Sequence, residues 1–358
     1  MASKLNGSHK RSRVILGTMT FGPDPSTGAR ITSLDIYNSI LDYFQSQGYK
    51  EIDTARVYVG GQQEAFTRAA RWKERGLSCA TKWYPYDANA DRTNSIGAHK
   101  AEVVEEMLNK SLSELGTDCV DVFYLHRADR SIPFQEPLRK LDELHKQGKF
   151  LQLGLSNYSA FELAEIVILC KASGWVQPTI FQCMYNAITR SIEPELIAAC
   201  RRYGLDIVVY NPLAGGLFSG KYKLDSIPTE GRYSDVDKEV GGMYRDRYFK
   251  DSTFDALRIV QGAAEKHVLT LFEVALRWLT NHSALNIKDG GNDGVVIGVS
   301  SQSQLEQNLR DLEKGPLPED VVEALDQAWV ICMATAASYV HGDLKYEYDT
   351  EEALKILS

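Results

Sequence analysis

The segment FLQLGLSNYSAFELAEIVILCKASGWVQPTIFQCMYN (150–186) has the pattern of a strand, a helix and a second strand. Its two ends, FLQLGLSN and TIFQCMYN, are short apolar runs of strand length. Between them, Ser159 and Glu162 have the spacing of a helix capping box, and Gly174 is a typical helix-ending residue. Two strands joined by a helix pair in parallel, so this segment predicts a βαβ unit.

The same alternation extends along the chain in both directions. The predicted strands are 13–19, 49–55, 77–83, 120–126, 150–157, 179–186, 205–213 and 294–301. Helical spacing lies between most of them and is clearest at 32–48, 101–116 and 159–174. Eight strands that alternate with helices most simply close into a (β/α)8 TIM barrel.

The chain has no Gly/Pro/Ser linker and no break in composition, so we predict a single domain over residues 1–358, with residues 1–12 flexible. Two segments exceed what a barrel needs: the loop at 214–250, after the seventh strand, and the tail at 330–358, which we expect near the pocket. A smaller polar insertion covers 87–100. Loops that follow barrel strands lie at the face where active sites form.

Composition excludes several classes of protein. The net charge of −8 argues against a nucleic-acid partner or an anionic membrane surface. The basic start has no apolar signal region, and no apolar run approaches the length of a membrane span. The six cysteines are scattered, without metal-ligand spacing. We therefore expect a cytoplasmic protein with reduced cysteines and no metal site.

Polar residues follow the predicted strands where they end. Asp53, Lys82 and His126 end the second, third and fourth, and Tyr58 lies just beyond Asp53. A phenol with a pKa near 10 is too weak an acid to donate a proton unaided at neutral pH. A neighbouring ammonium favours the phenolate and lowers that pKa, and a carboxylate holds the ammonium charged. A histidine could orient a carbonyl group. This set suits protonation of a carbonyl oxygen while another group delivers hydride.

Each of these four residues also has a structural interpretation. Asp53 could cap the following loop, Lys82 could be a solvated strand end, and Tyr58 could be a packing residue. A single histidine such as His126 is more often structural than catalytic. Four such residues at successive strand ends are less easily explained as coincidence.

Several motifs of this chain resemble those of a single protein family. DTARVY (53–58), TKW (81–83) and DVFYLH (121–126) resemble the Asp–Tyr–Lys–His tetrad of aldo-keto reductases. GKFLQLGLSNYSAFELAEI, MYNAITRSIEPEL and YNPLAGGLFSGKYK are similar to the aflatoxin aldehyde reductase branch. The similarity runs from about residue 13 to about residue 338, in the same motif order.

The resemblance implies NADPH bound in extended form without a Rossmann domain, and the chain indeed has no GxGxxG that opens a helix. It places Ser156, Asn157 and Gln182 at the nicotinamide carboxamide and Tyr210 on the ring. Residues 211–221 would then surround the pyrophosphate. The implied cofactor-binding residues are Gly17, Thr18, Met19, Asp53, Ser156, Asn157, Gln182, Tyr210, Asn211, Pro212, Leu213, Gly215, Gly216, Lys221, Arg232, Ser300, Ser301, Gln304 and Asn308.

Ser300 and Ser301 precede a helical stretch and could bind a 2′-phosphate at a helix N-terminus, although the sequence alone favours an ordinary serine N-cap. The family pattern favours the first interpretation and hence NADPH over NADH. Gly215 to Lys221 has P-loop spacing, but Tyr222 cannot supply the Mg²⁺-binding hydroxyl of Ser or Thr.

On the substrate side, the resemblance implies contacts from His126, Trp83, Tyr244 and Arg247, and the arginine favours aldehydes that carry a carboxylate. Tyr244 and Arg247 could instead form an exposed helix turn. This chain departs from the branch in a loop about two residues longer before Tyr244, at Trp83 and Arg127, and in its extended tail.

The sequence therefore predicts NADPH-dependent reduction of a small aldehyde or ketone to the alcohol, in detoxification or secondary metabolism. The branch resemblance also implies a homodimer. One alternative is a redox-sensing subunit on the same fold that binds NADPH with little turnover. Another is a barrel hydrolase with paired carboxylates, but the strand ends supply chiefly Asp53.

Overall fold

Eight parallel strands form a closed barrel. The computed structural model of the chain describes residues 11–85, 96–288 and 291–357. The strands are β1 (Arg13–Gly17), β2 (Glu51–Asp53), β3 (Ser78–Trp83), β4 (Val120–Leu125), β5 (Phe150–Ser156), β6 (Pro178–Met184), β7 (Asp206–Tyr210) and β8 (Gly294–Gly298). They pair in chain order, and β8 pairs with β1 to close the barrel. The predicted (β/α)8 TIM barrel is confirmed.

Helices surround the barrel. They are α1 (Leu34–Ser46), α2 (Gln63–Ala69), α3 (Ala101–Leu115), α4 (Gln135–Lys146), α5 (Ala160–Ser173), α6 (Leu196–Tyr203), α7 (Lys238–Tyr248), α8 (Asp251–Lys266), α9 (Leu271–Asn281), α10 (Gln302–Leu312), α11 (Glu319–Cys332) and α12 (Thr350–Ala353). The three helices named from sequence are confirmed as α1, α3 and α5. The capping box of α5 is present, and Gly174 ends it in the left-handed conformation. None of the helices in the described ranges is long and apolar enough to cross a membrane.

The barrel interior is filled by apolar side chains from alternate strand positions. Ile15, Val122, Tyr124, Ile180, Val208 and Val296 form this inner cluster. The side chains between them point outward and pack against the helices. Because all eight strands run in parallel, their carboxyl ends meet at one face of the barrel.

The two predicted additions lie at this face. After β7, a 3₁₀ turn at Ala214–Ser219 leads through an irregular segment to α7. After α11, the tail continues through irregular backbone to α12. Of the 87–100 insertion, residues 87–95 lie outside the described residues. The single-domain extent over 1–358 stays a prediction.

Glycine at position 154 is required by the barrel interior. A Cβ built on Gly154 would lie 2.2 Å from Cδ1 of Tyr124, whose side chain is fully enclosed in the barrel. We expect Gly154→Ala to lower the free energy of unfolding by about 1–3 kcal/mol or more, because the ring must move in a packed core. Denaturant unfolding measures this change.

Gly262 is the matched control. It lies within α8, and a Cβ there would meet no atom within 4 Å. We expect Gly262→Ala to raise the free energy of unfolding by about 0.5–1 kcal/mol through lower chain entropy in the unfolded state. Equal effects of the two substitutions would contradict this description of the barrel interior.

Candidate active site

A cavity of about 1860 Å³ opens at the carboxyl face of the barrel. Its walls come from the strand ends, the loop after β7, helix α7 and the C-terminal tail. Asp53, Tyr58 and His126 lie in its lining, and Lys82 lies directly behind them with no exposed surface. The barrel thus brings together the four residues singled out at the strand ends.

Lys82 has a full set of hydrogen bonds. Its Nζ donates to Asp53 Oδ2 at 2.6 Å, to the Thr54 carbonyl oxygen at 2.7 Å and to the Tyr58 hydroxyl at 3.3 Å. An ammonium has three N–H donors, so all are used. The second oxygen of Asp53 accepts from Gln182 Nε2 at 2.9 Å. Asp53 is therefore a partner of the lysine, and the loop-cap interpretation is not needed.

Burial controls the protonation state of Tyr58. It raises the pKa of the Tyr58 phenol well above 10, and the nearby charge of Asp53 raises that pKa further. Burial also lowers the pKa of Lys82, while Asp53 acts in the opposite direction. The sequence-based expectation of a lowered Tyr58 pKa is thus wrong in net direction, because desolvation by burial is the largest effect and the charge of Asp53 adds to it. The phenol keeps its proton, and the Lys82 hydrogen bond can favour a phenolate that forms when the proton leaves.

His126 follows β4 and faces two aromatic rings. Its imidazole lies edge-on to Tyr58 and Tyr84, with centroids 6.0 and 5.2 Å away. Its Nδ1 is buried and has no hydrogen-bond partner among the described residues. Burial, with added repulsion from Lys82, lowers the pKa of His126 well below 6.5. The imidazole is therefore neutral and has both a donor and an acceptor nitrogen for a ligand.

The predicted nicotinamide side is a hydrogen-bonded group of side chains. Asn157 donates from Nδ2 to the His126 carbonyl oxygen at 2.8 Å and accepts from the Tyr210 hydroxyl at 2.8 Å. Asn157 has a φ of 62°, a conformation that asparagine tolerates better than most residues. Tyr210 and Gln182 both line the cavity. These contacts fix an aromatic ring and an amide beside Tyr58.

Gly215 lies where the loop after β7 approaches helix α7. It has a φ of +65°, and a Cβ there would lie 2.7 Å from the ring of Tyr244. Its N–H donates to Asn211 Oδ1 at 2.6 Å. In a P-loop a helix follows the lysine directly, but the described residues between Lys221 and Lys238 contain no α-helix. The nucleotide-triphosphatase interpretation is therefore excluded.

Cationic groups line the cavity along this loop. Arg232 has its guanidinium 5.3 Å from the ring of Tyr244, and Arg30 faces the same space from the loop after β1. Neither arginine forms an ion pair within the described ranges. The Arg30 side chain is exposed to solvent, yet desolvation by the nearby protein and the charge of Arg232 lower its pKa to about 10. A site that holds two like charges together in this way fits the pyrophosphate of a dinucleotide. Sequence reasoning missed Arg30, which belongs to none of the motifs.

The remaining predicted cofactor positions divide into two groups. Those that line the cavity are Gly17, Met19, Asn211, Pro212, Leu213, Gly216, Lys221, Ser300, Gln304 and Asn308. Those that lie behind the lining are Thr18, Ser156 and Ser301. Thr18 donates to the Asp53 carbonyl oxygen, and Ser156 accepts from Asn157. The Ser301 hydroxyl accepts from the Gln304 N–H, so it acts as the N-cap of α10.

Of the predicted substrate residues, some lie at the cavity and one lies outside its lining. Tyr244 is buried in α7 with 7% of its surface exposed, and Arg247 one turn further lines the cavity. The exposed-turn interpretation of this pair is thus wrong. Trp83 lies outside the cavity lining, packs in the outer core, and donates from its indole nitrogen to the Ala98 carbonyl oxygen.

The C-terminal tail forms part of the cavity wall. His341 donates its backbone N–H to the Asn157 carbonyl oxygen at 3.1 Å. Its Nε2 lies 3.3 Å from a guanidinium nitrogen of Arg247 and 3.4 Å from the Tyr210 hydroxyl. Burial and the Arg247 charge lower the pKa of His341 to about 3. The tail therefore places a neutral imidazole between the predicted nicotinamide and substrate regions.

A buried ion pair anchors the tail. Arg130 donates to both carboxylate oxygens of Glu162, at 2.7 and 3.0 Å, and to the His341 carbonyl oxygen at 2.9 Å. The Tyr346 hydroxyl donates to the same carboxylate at 2.7 Å. The Glu347 N–H donates to the Arg130 carbonyl oxygen. The unusual tail length was visible in the sequence, but no local motif pointed to these contacts.

The fold and this site define a member of the aldo/keto reductase family, whose family model matches residues 13–330. The chain belongs to that family and is an oxidoreductase that acts on aldehydes or ketones. It is 41% identical to an aldo-keto reductase of Pseudocercospora fijiensis, over 84% of this chain and 99% of that protein. It is 36% identical to the aldo-keto reductase pigE of Monascus ruber, over 92% and 98% of the two chains.

Human aflatoxin B1 aldehyde reductase member 4 is 39% identical to this chain, over 90% of this chain and 95% of the human protein. The resemblance stated from the motifs is thereby confirmed.

The tail anchor leads to a prediction about Tyr346. We expect Tyr346→Phe to weaken attachment of the tail by about 1–3 kcal/mol, because a hydrogen bond to a buried carboxylate is lost. Trypsin should then cleave after the exposed Lys345 several-fold faster. Cleavage is followed by mass spectrometry.

Tyr348→Phe is the control. The Tyr348 hydroxyl is buried but has no hydrogen-bond partner among the described residues. Its removal should leave the cleavage rate unchanged. Equal acceleration in both variants would mean that the Glu162 contact does not hold the tail.

Proposed function

We propose that this protein reduces an aldehyde or ketone with NADPH and that Tyr58 donates the proton to the carbonyl oxygen. The observation that supports this proposal best is the position of Lys82, hydrogen-bonded to both Asp53 and the Tyr58 hydroxyl. Tyr58 faces a cavity large enough for a cofactor and a substrate together. The alcohol is the product.

A bound reduced nicotinamide would supply the hydride. Tyr58, protonated at neutral pH because of burial, would hold its proton until negative charge develops on the carbonyl oxygen. The Lys82 ammonium would then stabilise the phenolate without any rearrangement. Asp53 keeps Lys82 charged, and Gln182 fixes the orientation of Asp53.

His126 would position the substrate carbonyl. Its neutral imidazole lies beside Tyr58 and has an unpartnered buried nitrogen. An N–H donor from this ring would share the carbonyl oxygen with Tyr58 and add to the stabilisation of developing charge. A charged imidazolium at this position would compete with Tyr58 as acid, and the lowered pKa of His126 prevents that competition.

Three features support NADPH as the cofactor. Arg30 and Arg232 offer two guanidinium groups to a pyrophosphate. Gly215 and Gly216 have positive φ and allow backbone to approach a ligand closely. Beyond β8, Ser300 before α10 and Gln304 and the buried Asn308 in its first two turns line the cavity, where a 2′-phosphate would bind. The cytoplasmic location, the homodimer and the metabolic role stay predictions.

Turnover assays test the proposal. With 4-nitrobenzaldehyde or succinic semialdehyde, the purified protein should oxidise NADPH, followed by absorbance, at least about tenfold more efficiently than NADH. Succinic semialdehyde should have the lower KM, because Arg247 can bind its carboxylate. Absence of turnover together with fluorescence quenching by NADPH would instead support the redox-sensor alternative.

Tyr58→Phe tests the proton donor. We expect kcat to fall by about 100-fold or more, the usual contribution of a general acid, while the dissociation constant of NADPH changes little. Tyr203→Phe at the end of α6, outside the cavity lining, is the matched control and should keep full activity. Full activity in Tyr58→Phe would remove Tyr58 from the reaction.

A further inference from the structure

Arg127, the residue after His126, is a cation without a matching carboxylate. It lines the cavity, and its terminal nitrogen donates to the Tyr84 hydroxyl at 3.0 Å. Its Nε is enclosed by protein and has no hydrogen-bond partner among the described residues. Within the residues that the structure describes, Arg127 forms no ion pair. A guanidinium has five N–H donors, and the contact with Tyr84 uses one of them.

The neighbouring Arg130 differs from Arg127 because protein groups match both its charge and its N–H donors. Its guanidinium forms two hydrogen bonds with Glu162 and one with the tail, so its charge is matched and its donors are used. Arg127 lies three residues earlier and faces the cavity with none of these contacts. Unmatched donors and charge in an enclosed site are costly unless a ligand or water compensates them.

Nearby acidic groups do not match Arg127. Both oxygens of Asp129 accept hydrogen bonds from other groups, the N–H of His99 and the N–H and hydroxyl of Ser131. Asp343 and Glu347 of the tail reach the cavity lining, but both are exposed to solvent. The positive charge also acts on its surroundings, since Arg127 contributes to the lowered pKa values of His126 and His341.

Arg247 offers a second unmatched guanidinium on the same wall. It lies 3.3 Å from His341 Nε2 and forms no ion pair within the described ranges. The next tail residue, Gly342, passes Arg127: a Cβ built there would lie 3.9 Å from a terminal nitrogen of Arg127. The two arginines therefore lie beside successive tail residues, and each has N–H donors for a carboxylate of its own.

We propose that Arg127 binds an acidic group of the substrate separately from Arg247, so that the preferred substrates are carbonyl compounds with two carboxylates. This inference rests on the proposed carbonyl reduction. The planar guanidinium suits a carboxylate, and the tail passes directly beside it. The reacting carbonyl would lie near Tyr58 and His126, with both acidic groups directed toward the tail.

Three aldehydes on one ring test the proposal: benzaldehyde, 3-carboxybenzaldehyde and 5-formylisophthalate, with none, one and two carboxylates. We expect kcat/KM of the wild-type enzyme with NADPH to rise about ten- to a hundredfold with each carboxylate, as for hydrogen bonds between charged groups. A dicarboxylate that reacts no better than the monocarboxylate would overturn the proposal.

Arg127→Gln separates substrate binding from a general effect on the site. It should reduce the ratio of kcat/KM between the two carboxylated aldehydes at least about tenfold, and Arg127→Lys should restore much of it. An indirect effect through His126 would change all three aldehydes equally and would overturn the proposal. Arg139→Gln, on the exposed face of α4, is the matched control and should leave every rate unchanged.

Binding of unreactive isophthalate decides the proposal independently of turnover. Calorimetry with the NADP⁺ complex should give a dissociation constant at least about tenfold lower than for benzoate, and Arg127→Gln should remove that difference. Equal affinity for the two acids would overturn the proposal. Tight isophthalate binding without reduction of any aldehyde would instead contradict the proposed function and leave Arg127 as an anion-binding residue.

Discussion

The hydrogen bonds of the buried Lys82 ammonium are the interaction on which the rest of the site depends. An ammonium with no exposed surface is costly unless its charge and all of its donors are matched, and Asp53, Thr54 and Tyr58 match them here. The barrel makes this possible because β2 and β3 are neighbours, with Asp53 opposite Ala80 in the register. Lys82, two residues further, points to the same side as Ala80.

Arginine side chains line the cavity around this centre. Arg30 and Arg232 come from the loops after β1 and β7, and the guanidinium groups of Arg232 and Arg247 both lie against the ring of Tyr244. Arg127 and Arg247 lie beside successive residues of the tail. At the centre, Tyr58 is a protonated phenol and His126 a neutral imidazole, because burial shifts the pKa of each toward its neutral form. An anionic cofactor and an anionic substrate would both be attracted by the arginines, with the reacting carbonyl beside these two neutral groups.

Sequence predicted the barrel and the central four residues because both depend on local patterns. Strand residues alternate between two faces, and chemically distinctive residues at parallel strand ends must meet. The same alternation explains Trp83: since Lys82 points inward, its neighbour points outward into the helix-facing core. Serine at a helix start can bind an anion or cap the helix. The Gln304 N–H donates to the Ser301 hydroxyl, so Ser301 caps α10.

Other features could not be predicted from local patterns. Tyr346 meets Glu162 across 184 positions of sequence, and nothing near either residue indicates the contact. The direction of the Tyr58 pKa depends on how completely the side chain is enclosed, which only the packed structure determines. Arg30 lies outside every motif and joins the site because the loop after β1 folds over the cavity.

Transfer of deuterium from the cofactor to the product shows whether the nicotinamide supplies the hydride for carbonyl reduction. The wild-type protein would be incubated with 4-nitrobenzaldehyde and NADPH that carries deuterium at both C4 positions of the nicotinamide. If the nicotinamide donates the hydride, the product is 4-nitrobenzyl alcohol with one deuterium on the benzylic carbon, measured by NMR and mass spectrometry. Alcohol without deuterium, or no alcohol from any aldehyde tested while the cofactor binds, would contradict the proposed function.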